Sequence, residues 1–168
     1  MINATRNCEK PDWNIGYTTR EHLCLDLDNT SFFKTENLVE MLMREHPELG
    51  HAVIMCSSKP SFFERLCYMP CQIPRNVVKR CNYHVVFNNF IDYEASCRII
   101  ETLAEIDVVN REYVRIRQMR NDMTLRVSKT VNMWHTKPKP KLLRFIINPY
   151  ATKQDEGIKR YMTLFNCV

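Results

Sequence analysis

Apolar residues along the chain form short continuous runs and strictly alternating stretches, and both patterns predict β-strands. The continuous runs predict buried strands at 22–27, 51–57, 83–87 and 142–147. Alternation of apolar with polar residues at 113–118 and 123–128, on either side of a short polar turn, predicts a β-hairpin. The predicted sheet therefore has five or six strands.

Three further segments carry apolar residues at the spacing of a helix. These predicted helices cover 35–46, 92–106 and 155–165. Thr35 and Asp92 are suitable caps for the first two, and Pro47 stops the first. The segment 59–81 has three prolines and no clear period, which predicts an insertion or long loop. The whole pattern predicts one α+β domain, 1–168, with a mixed or antiparallel sheet flanked by helices.

Length and composition suit one packed domain and exclude two common classes of nucleotide-binding protein. The chain has 168 residues, of which 45% are hydrophobic, enough to bury a core. Its three glycines, Gly16, Gly50 and Gly157, cannot form a GxGxxG or a GxxxxGK[ST] motif. Rossmann dinucleotide binding and P-loop nucleotide hydrolysis are therefore excluded in their ordinary forms.

The net charge of +5 is unevenly distributed along the chain. In 111–144 ten basic side chains stand against two acidic ones, whereas in 21–50 seven acidic side chains stand against two basic ones. An acidic segment can hold cations and a basic segment can hold polyanions, but two ordinary solvated faces explain the same pattern equally well.

The sequence predicts an intracellular protein without a membrane segment. It has no apolar run of about 18 residues, and its polar first 20 residues lack the apolar region of a signal peptide. Eight cysteines without a secretory signal indicate a reducing, cytoplasmic compartment and mostly free thiols.

Two aspartates, Asp26 and Asp28, end the first predicted strand. Alternation sends Leu27 to one face and both carboxylates to the other, where like charges repel unless a cation lies between them. Carboxylate oxygens are the ligands that Mg²⁺ and Mn²⁺ prefer. The pattern favours metal binding over its alternative, a solvated turn at 28–29.

Three motifs resemble those of archaeo-eukaryotic primases (primase-polymerases), in the minimal form of their catalytic domain found in viruses and mobile elements. The first is LCLDLD, with Asp26 and Asp28, and the second is NYH leading into VVF, with His84. The third is the pair ID, with Asp107, and MTLRVS with Arg126 resembles the basic strand that follows it. The resemblance covers about two thirds of the chain.

This resemblance implies an RRM-like catalytic core that carries out metal-dependent nucleotidyl transfer. It implies that Asp26, Asp28 and Asp107 are catalytic and hold Mg²⁺ or Mn²⁺. Nucleotide-binding residues are expected around these acids, namely His84, Ser57, Arg126 and Lys129. The implied partners are single-stranded DNA or an RNA–DNA primer-template, nucleoside triphosphates, and a helicase or other replication protein supplied in trans.

The chain departs from the family's pattern at two positions. Asn82 stands where serine is usual, and the serine pair 57–58 lies well upstream. Asp107 is expected at a helix end, so Asp122 is an alternative third acid. Spacing alone favours Asp107 without deciding the choice.

The basic residues after position 111 predict a path for nucleic acid. On the predicted hairpin Arg115 and Arg117 alternate with apolar residues, and Arg120 lies at its turn. Lys137 and Lys139 lie on a segment stiffened by proline, and aromatic residues nearby can stack on unpaired bases. Outward-facing arginines are also common on any soluble sheet, so a binding protein without catalysis is a second hypothesis.

Two other sets of residues suggest different chemistry. LDLDNT and VIMCSS resemble the first two motifs of haloacid dehalogenase-type phosphatases, which implies a phosphohydrolase with Asp26 as nucleophile, but the late acidic pair of that family is missing. Cys67, Cys71 and Cys81 with His84 have the residue types of a zinc site, although their spacing matches none of the strong patterns. Mg²⁺ or Mn²⁺ is therefore the favoured cofactor.

Overall fold

The structure of the protein is a computed structural model, which describes residues 16–58, 80–126, 130–131, 136–137 and 140–151. The strands in these residues are β1 (Gly16–Thr19), β2 (Cys24–Ser31), β3 (Ala52–Ser58), β4 (Arg80–Phe87), β5 (Met123–Arg126), β6 (Thr130–Val131), β7 (Thr136–Lys137) and β8 (Lys141–Ile146). The α-helices are α1 (Phe32–Glu45), α2 (Tyr93–Glu105) and α3 (Arg111–Arg120), and a 3₁₀ helix covers Pro47–Leu49.

The main sheet has four antiparallel strands in the order β2-β4-β3-β8. Strands β2 and β3 are joined through α1, and both pair with β4, which lies between them. This arrangement is a split β-α-β unit. The predicted α+β class is confirmed, and the largest sheet among the described residues has four strands rather than five or six. The pairs β1–β5 and β6–β7 form two smaller sheets.

Helix α1 starts earlier than the sequence predicts, directly after β2. Ser31 caps it, since its hydroxyl oxygen accepts a hydrogen bond from the amide of Lys34 at 3.2 Å. Thr35, the predicted cap, lies buried in the first turn, where its hydroxyl donates to the Ser31 carbonyl. The ring of Phe32 lies 6.2 Å from that of Tyr83 on β4. Helix α1 therefore covers the face of the sheet that carries Tyr83.

Helix α2 confirms the predicted helix at 92–106 to within one residue at each end. The carboxylate of Asp92 accepts hydrogen bonds from two amides of the first turn, as the prediction of a cap requires. Ile99, Ile100 and Leu103 form the buried face of the helix. Burial of such side chains stabilises the fold by about 1.5–3 kcal/mol each.

The predicted hairpin is wrong, because 113–118 lies within helix α3. Alternation of Val114 and Ile116 with polar residues fits a strand, but the same segment also satisfies helical spacing. Val114 and Arg117, three residues apart, are its buried pair, whereas Ile116 is 40% exposed. Spacing three apart places two side chains on one face of a helix, so tertiary packing decides between the two periods.

Helix α3 also has end signals that favour a helix over a strand. The side-chain oxygen of Asn110 accepts a hydrogen bond from the amide of Glu112 at 2.8 Å. Asn121 ends the helix in the left-handed conformation, with φ 54°. The second strand of the predicted hairpin is present as β5, but it pairs with β1.

Some predicted boundaries shift, and some predicted elements fall outside the described residues. Strand β2 continues past the aspartates to Ser31, which pairs with Arg80 of β4. Strand β4 therefore begins inside the segment 59–81, which was predicted to be an insertion or loop. The rest of that segment, 59–79, and the predicted helix at 155–165 lie outside the described residues.

Candidate active site

The two aspartates of the first motif lie on β2 on either side of Leu27, which is buried in the core. Asp26 is half-buried and Asp28 is exposed. The register shifts between Leu27 and Thr30, and Asn29 adopts φ 49° within this bulge. The side-chain oxygen of Asn82 accepts a hydrogen bond from the Asn29 amide at 2.9 Å. Asn82, where serine was expected, thus fixes the backbone beside Asp28.

The structure brings together the first and second motifs. Asp26 lies opposite His84 in the register of β2 and β4, so their side chains share a face of the sheet. The Nε2 atom of His84 is 3.6 Å from a carboxylate oxygen of Asp26. His84 is 3% exposed, whereas the Asp26 side chain is 37% exposed. Because Tyr83 faces α1, this pair lies on the opposite face of the sheet.

Asp107 occupies a constrained position just after α2. Its amide donates to the carbonyl of Ala104 at 3.2 Å, and the Val108 amide donates to the carbonyl of Leu103 at 2.8 Å. These two bonds form a Schellman motif, in which Asp107 takes the left-handed position with φ 55°. Glycine adopts this conformation more readily than aspartate does, so Asp107 is held there at a cost in backbone energy.

Asp28 and Asp107, which are far apart in sequence, line one open cavity of about 380 Å³. Asn110 and Arg111, at the start of α3, line the same cavity. Among the described residues, no side chain hydrogen-bonds or pairs with the carboxylates of Asp28 and Asp107 or with the guanidinium of Arg111. The cavity therefore offers two carboxylates and one guanidinium to a ligand.

Two other predicted site residues are less favourably placed. Asp122, the alternative third acid, accepts a hydrogen bond from the Thr124 hydroxyl at 3.1 Å and does not line the cavity. Its position therefore favours Asp107 as the third acid. Ser57 is 4% exposed on β3, and β4 lies between it and the aspartates.

The three arginines of α3 that follow Arg111 each have a different environment. The Nε and Nη2 atoms of Arg115 donate to the Glu112 carboxylate at 2.9 and 2.7 Å, and this contact lowers the Glu112 pKa. Arg117 is 2% exposed, with its guanidinium carbon 5.4 Å from the ring centre of Tyr93. The prediction that Arg117 belongs to an exposed basic face is wrong, because the helix turns it towards α2. Arg120 is exposed at the end of the helix.

Several predicted binding residues cannot be compared with the site. Arg126 and Lys137 belong to strands β5 and β7, whose side chains at these positions are outside the description. Lys129, Lys139, Cys67 and Cys71 lie outside the described residues altogether.

The described cysteines are free, as the sequence predicts. They are Cys24, Cys56, Cys81 and Cys97. Burial raises the pKa of the Tyr83 hydroxyl, and the nearby thiol of Cys81 raises it further. Cys81 and His84 are three residues apart on β4 and therefore face opposite sides of the sheet. This placement does not favour a zinc site that combines the two.

The sequence pattern does not mark Tyr113 as a site residue, but its side chain links α3 to β2, the strand that carries Asp26 and Asp28. Its hydroxyl donates to the Cys24 carbonyl on β2 at 2.9 Å, and burial raises its pKa well above the usual range. The Cys24 amide in turn donates to the Met123 sulfur of β5 at 3.4 Å. These contacts lie along the edge of β2 that does not pair with β4. They hold the start of α3, with Arg111, beside the site.

The donor set fits a hard divalent cation. The carboxylates of Asp28 and Asp107 supply the oxygen ligands that Mg²⁺ and Mn²⁺ take. Within the described part of the chain, no three His, Cys, Asp or Glu side chains converge into a metal-binding group. One or two carboxylates, completed by water and substrate phosphates, are nevertheless a usual site for Mg²⁺.

Comparison with known proteins adds no family to these observations. No protein family, no curated protein and no solved structure matches the chain. In the residues that the structure describes, no helix has the length and apolar character needed to span a bilayer. The function is therefore inferred from the residues of the site.

Proposed function

We propose that the protein is a metal-dependent nucleotidyltransferase of the primase-polymerase type, which synthesises or extends primers on a single-stranded DNA template. The observation that carries this proposal is the cavity shared by Asp28 and Asp107. Asp28 lies two residues along β2 from Asp26, which faces His84. These four residues are the ones that the resemblance to archaeo-eukaryotic primases implies.

The topology supports the same proposal. An RRM-like sheet contains a split β-α-β unit with a further strand beside its first strand. Here β2, α1, β3 and β4 form the split unit, and β5 approaches the edge of β2 through the contact of Cys24 with Met123. The order β2-β4-β3 and the position of Asp26 and Asp28 on β2 are therefore compatible with an RRM-like core.

Each residue has a defined role in this proposal. Asp26, Asp28 and Asp107 would hold Mg²⁺ or Mn²⁺, and the metal would supply activation of the attacking 3′-hydroxyl and neutralisation of charge on the triphosphate. His84 donates a hydrogen bond from Nε2 to a phosphate oxygen on the same face of the sheet as Asp26. The half-buried Asp26 carboxylate lies 3.6 Å from the same Nε2 atom, beyond hydrogen-bond distance, and lines the same face of the sheet.

The wider context is part of the same proposal. The chain acts in the cytoplasm within a replication module of a virus or plasmid, on nucleoside triphosphates and a DNA or RNA–DNA primer-template. A helicase or other replication protein acts with it in trans. Of the predicted nucleic-acid path, Arg115 and Arg120 are exposed on α3, and Arg115 is paired with Glu112.

Template-directed nucleotide incorporation tests the proposal. The protein is incubated with single-stranded DNA, labelled nucleotides and Mn²⁺, beside the double variant Asp26→Asn/Asp28→Asn. A matched control replaces two exposed acids of α1, Glu40→Gln/Glu45→Gln. We expect template-dependent products from the protein and the control but not from the Asp26/Asp28 variant.

Other outcomes identify the competing hypotheses. DNA binding that persists in EDTA, without any incorporation, would support a non-catalytic nucleic-acid-binding protein. Hydrolysis of a generic phosphate ester without template, abolished by Asp26→Asn, would support the phosphohydrolase. Either result would reject the polymerising function.

A further inference from the structure

Arg111 is a charged residue of the cavity that the sequence motifs do not identify. It is the first residue of α3, directly after the cap Asn110, and its side chain is exposed. It lines the cavity together with Asp28 and Asp107. Within the described part of the chain it has no carboxylate partner.

The other arginines of α3 cannot take the same part. Arg115 is occupied by the Glu112 carboxylate through two hydrogen bonds. Arg117 is buried against Tyr93. Arg120 lies about 13.5 Å further along the helix axis, at a rise of about 1.5 Å per residue, and does not line the cavity.

The chemistry of the cavity selects a ligand that carries both cationic and anionic groups. Two carboxylates repel a free phosphate but attract a divalent cation. A guanidinium binds phosphate oxygens through two parallel hydrogen bonds and stays charged at every physiological pH. A volume of about 380 Å³ lies within the usual range of small-ligand sites, roughly 300–1,000 Å³.

We infer that Arg111 binds the phosphate chain of a metal-bound nucleoside triphosphate in the cavity lined by Asp28 and Asp107. This inference rests on the proposed function for the identity of the ligand. Arg111 holds the phosphates from α3 while the carboxylates hold the cation from β2 and from the end of α2. The hydrogen bond from Tyr113 to the Cys24 carbonyl holds α3 at a fixed distance from β2.

Steady-state incorporation with varied nucleotide, at saturating template and Mn²⁺, measures the role of Arg111. We expect Arg111→Gln to raise the nucleotide KM roughly ten- to a hundredfold, the range for losing a hydrogen bond to a charged group, with kcat changed much less. Arg111→Lys should recover part of the loss, because lysine keeps the charge but not the bidentate geometry. Arg98→Gln, at an exposed position on α2, is the matched control and should behave as the unmodified protein.

Calorimetric binding of ATP with Mn²⁺ separates this inference from the proposed function. If the protein incorporates nucleotides and Arg111→Gln leaves both KM and affinity unchanged, the role of Arg111 is overturned and the function stands. If it incorporates nothing but binds ATP–Mn²⁺ with an affinity that Arg111→Gln weakens and Arg98→Gln does not, the role of Arg111 stands and the polymerising function is rejected. A protein that neither incorporates nor binds overturns both.

Discussion

Replacing Asp107 by glycine should make the protein more stable and less active. The aspartate holds the left-handed position of a Schellman motif at φ 55°, where glycine has no steric cost. A carboxylate next to the carboxyl end of a helix is also unfavourable, because that end carries partial negative charge. If the residue served only the fold, glycine or asparagine would suit this position better.

The magnitude follows from three opposing contributions. Relief of the left-handed conformation raises the free energy of unfolding by about 1–2 kcal/mol, and removal of the charge from the helix end raises it by about 0.3–1 kcal/mol. The greater freedom of glycine in the unfolded chain costs about 0.4–1 kcal/mol. The net gain is about 1 kcal/mol, which corresponds to a rise in Tm of roughly 2–4 °C for a chain of this size.

Urea unfolding in EDTA and nucleotide incorporation in Mn²⁺ measure the two effects on the same variant. Incorporation should fall by more than roughly a hundredfold, because losing even an outer partner of a metal ligand costs about 10–100-fold. Asp107→Asn keeps the side-chain shape, tolerates the same backbone conformation and removes the charge. It should therefore lose activity to the same extent without loss of stability.

A particular pair of results would refute this reasoning. If Asp107→Gly unfolded at a lower urea concentration than the unmodified protein, the backbone strain inferred from the positive φ of Asp107 would be absent. If it kept full incorporation activity, Asp107 would be a helix-end residue only, and Asp122 would have to be tested as the third acid.

Three further substitutions test the packing around the site, each by urea unfolding. Gly50→Ala should cost about 3 kcal/mol or more, because φ is +70° and a Cβ would overlap the side-chain oxygen of Asn88; a cost below 1 kcal/mol would contradict the described turn. Tyr113→Phe should cost about 1–3 kcal/mol, since it leaves the Cys24 carbonyl without its phenol donor, and an unchanged midpoint would show that this bond is dispensable. Arg117→Met should leave the free energy of unfolding equal or higher, because Nε and Nη2 of the buried guanidinium have no hydrogen-bond partner among the described residues. A clear loss of stability in this variant would show that the contacts of the guanidinium stabilise the fold.

The sequence correctly predicts the elements whose apolar residues fit only one pattern, either that of a strand or that of a helix. The apolar runs of β2, β3 and β4 and the regular apolar face of α2 leave little choice of structure, and Asp92 is both the predicted and the observed cap. Helix α3 was wrongly predicted to be a strand, because Val114 fits both the alternation of a strand and the three-residue spacing of a helix face. Contact with α2, which buries Arg117, decides between them, and such long-range packing cannot be obtained from local spacing.

Individual residues of the candidate site could be predicted from the sequence, but how they come together in space could not. The spacing of Asp26 and Asp28 around a buried Leu27 indicated two carboxylates on one face. Their association with His84 and Asp107 came from resemblance to a family, since only strand register and helix packing bring these segments together. Arg111 escaped notice because a run of basic residues does not show which of them faces a cavity.

Binding of Mn²⁺ by the protein alone tests the central claim most directly. Electron paramagnetic resonance measures free Mn²⁺ during titration with the unmodified protein, with Asp28→Asn/Asp107→Asn, and with a control that replaces two exposed acids of α1, Glu40→Gln/Glu45→Gln. We expect the protein and the control to deplete the free-ion signal equally, and the Asp28/Asp107 variant to leave it almost unchanged. Equal depletion by all three proteins, or none by any of them, would contradict a metal site in this cavity.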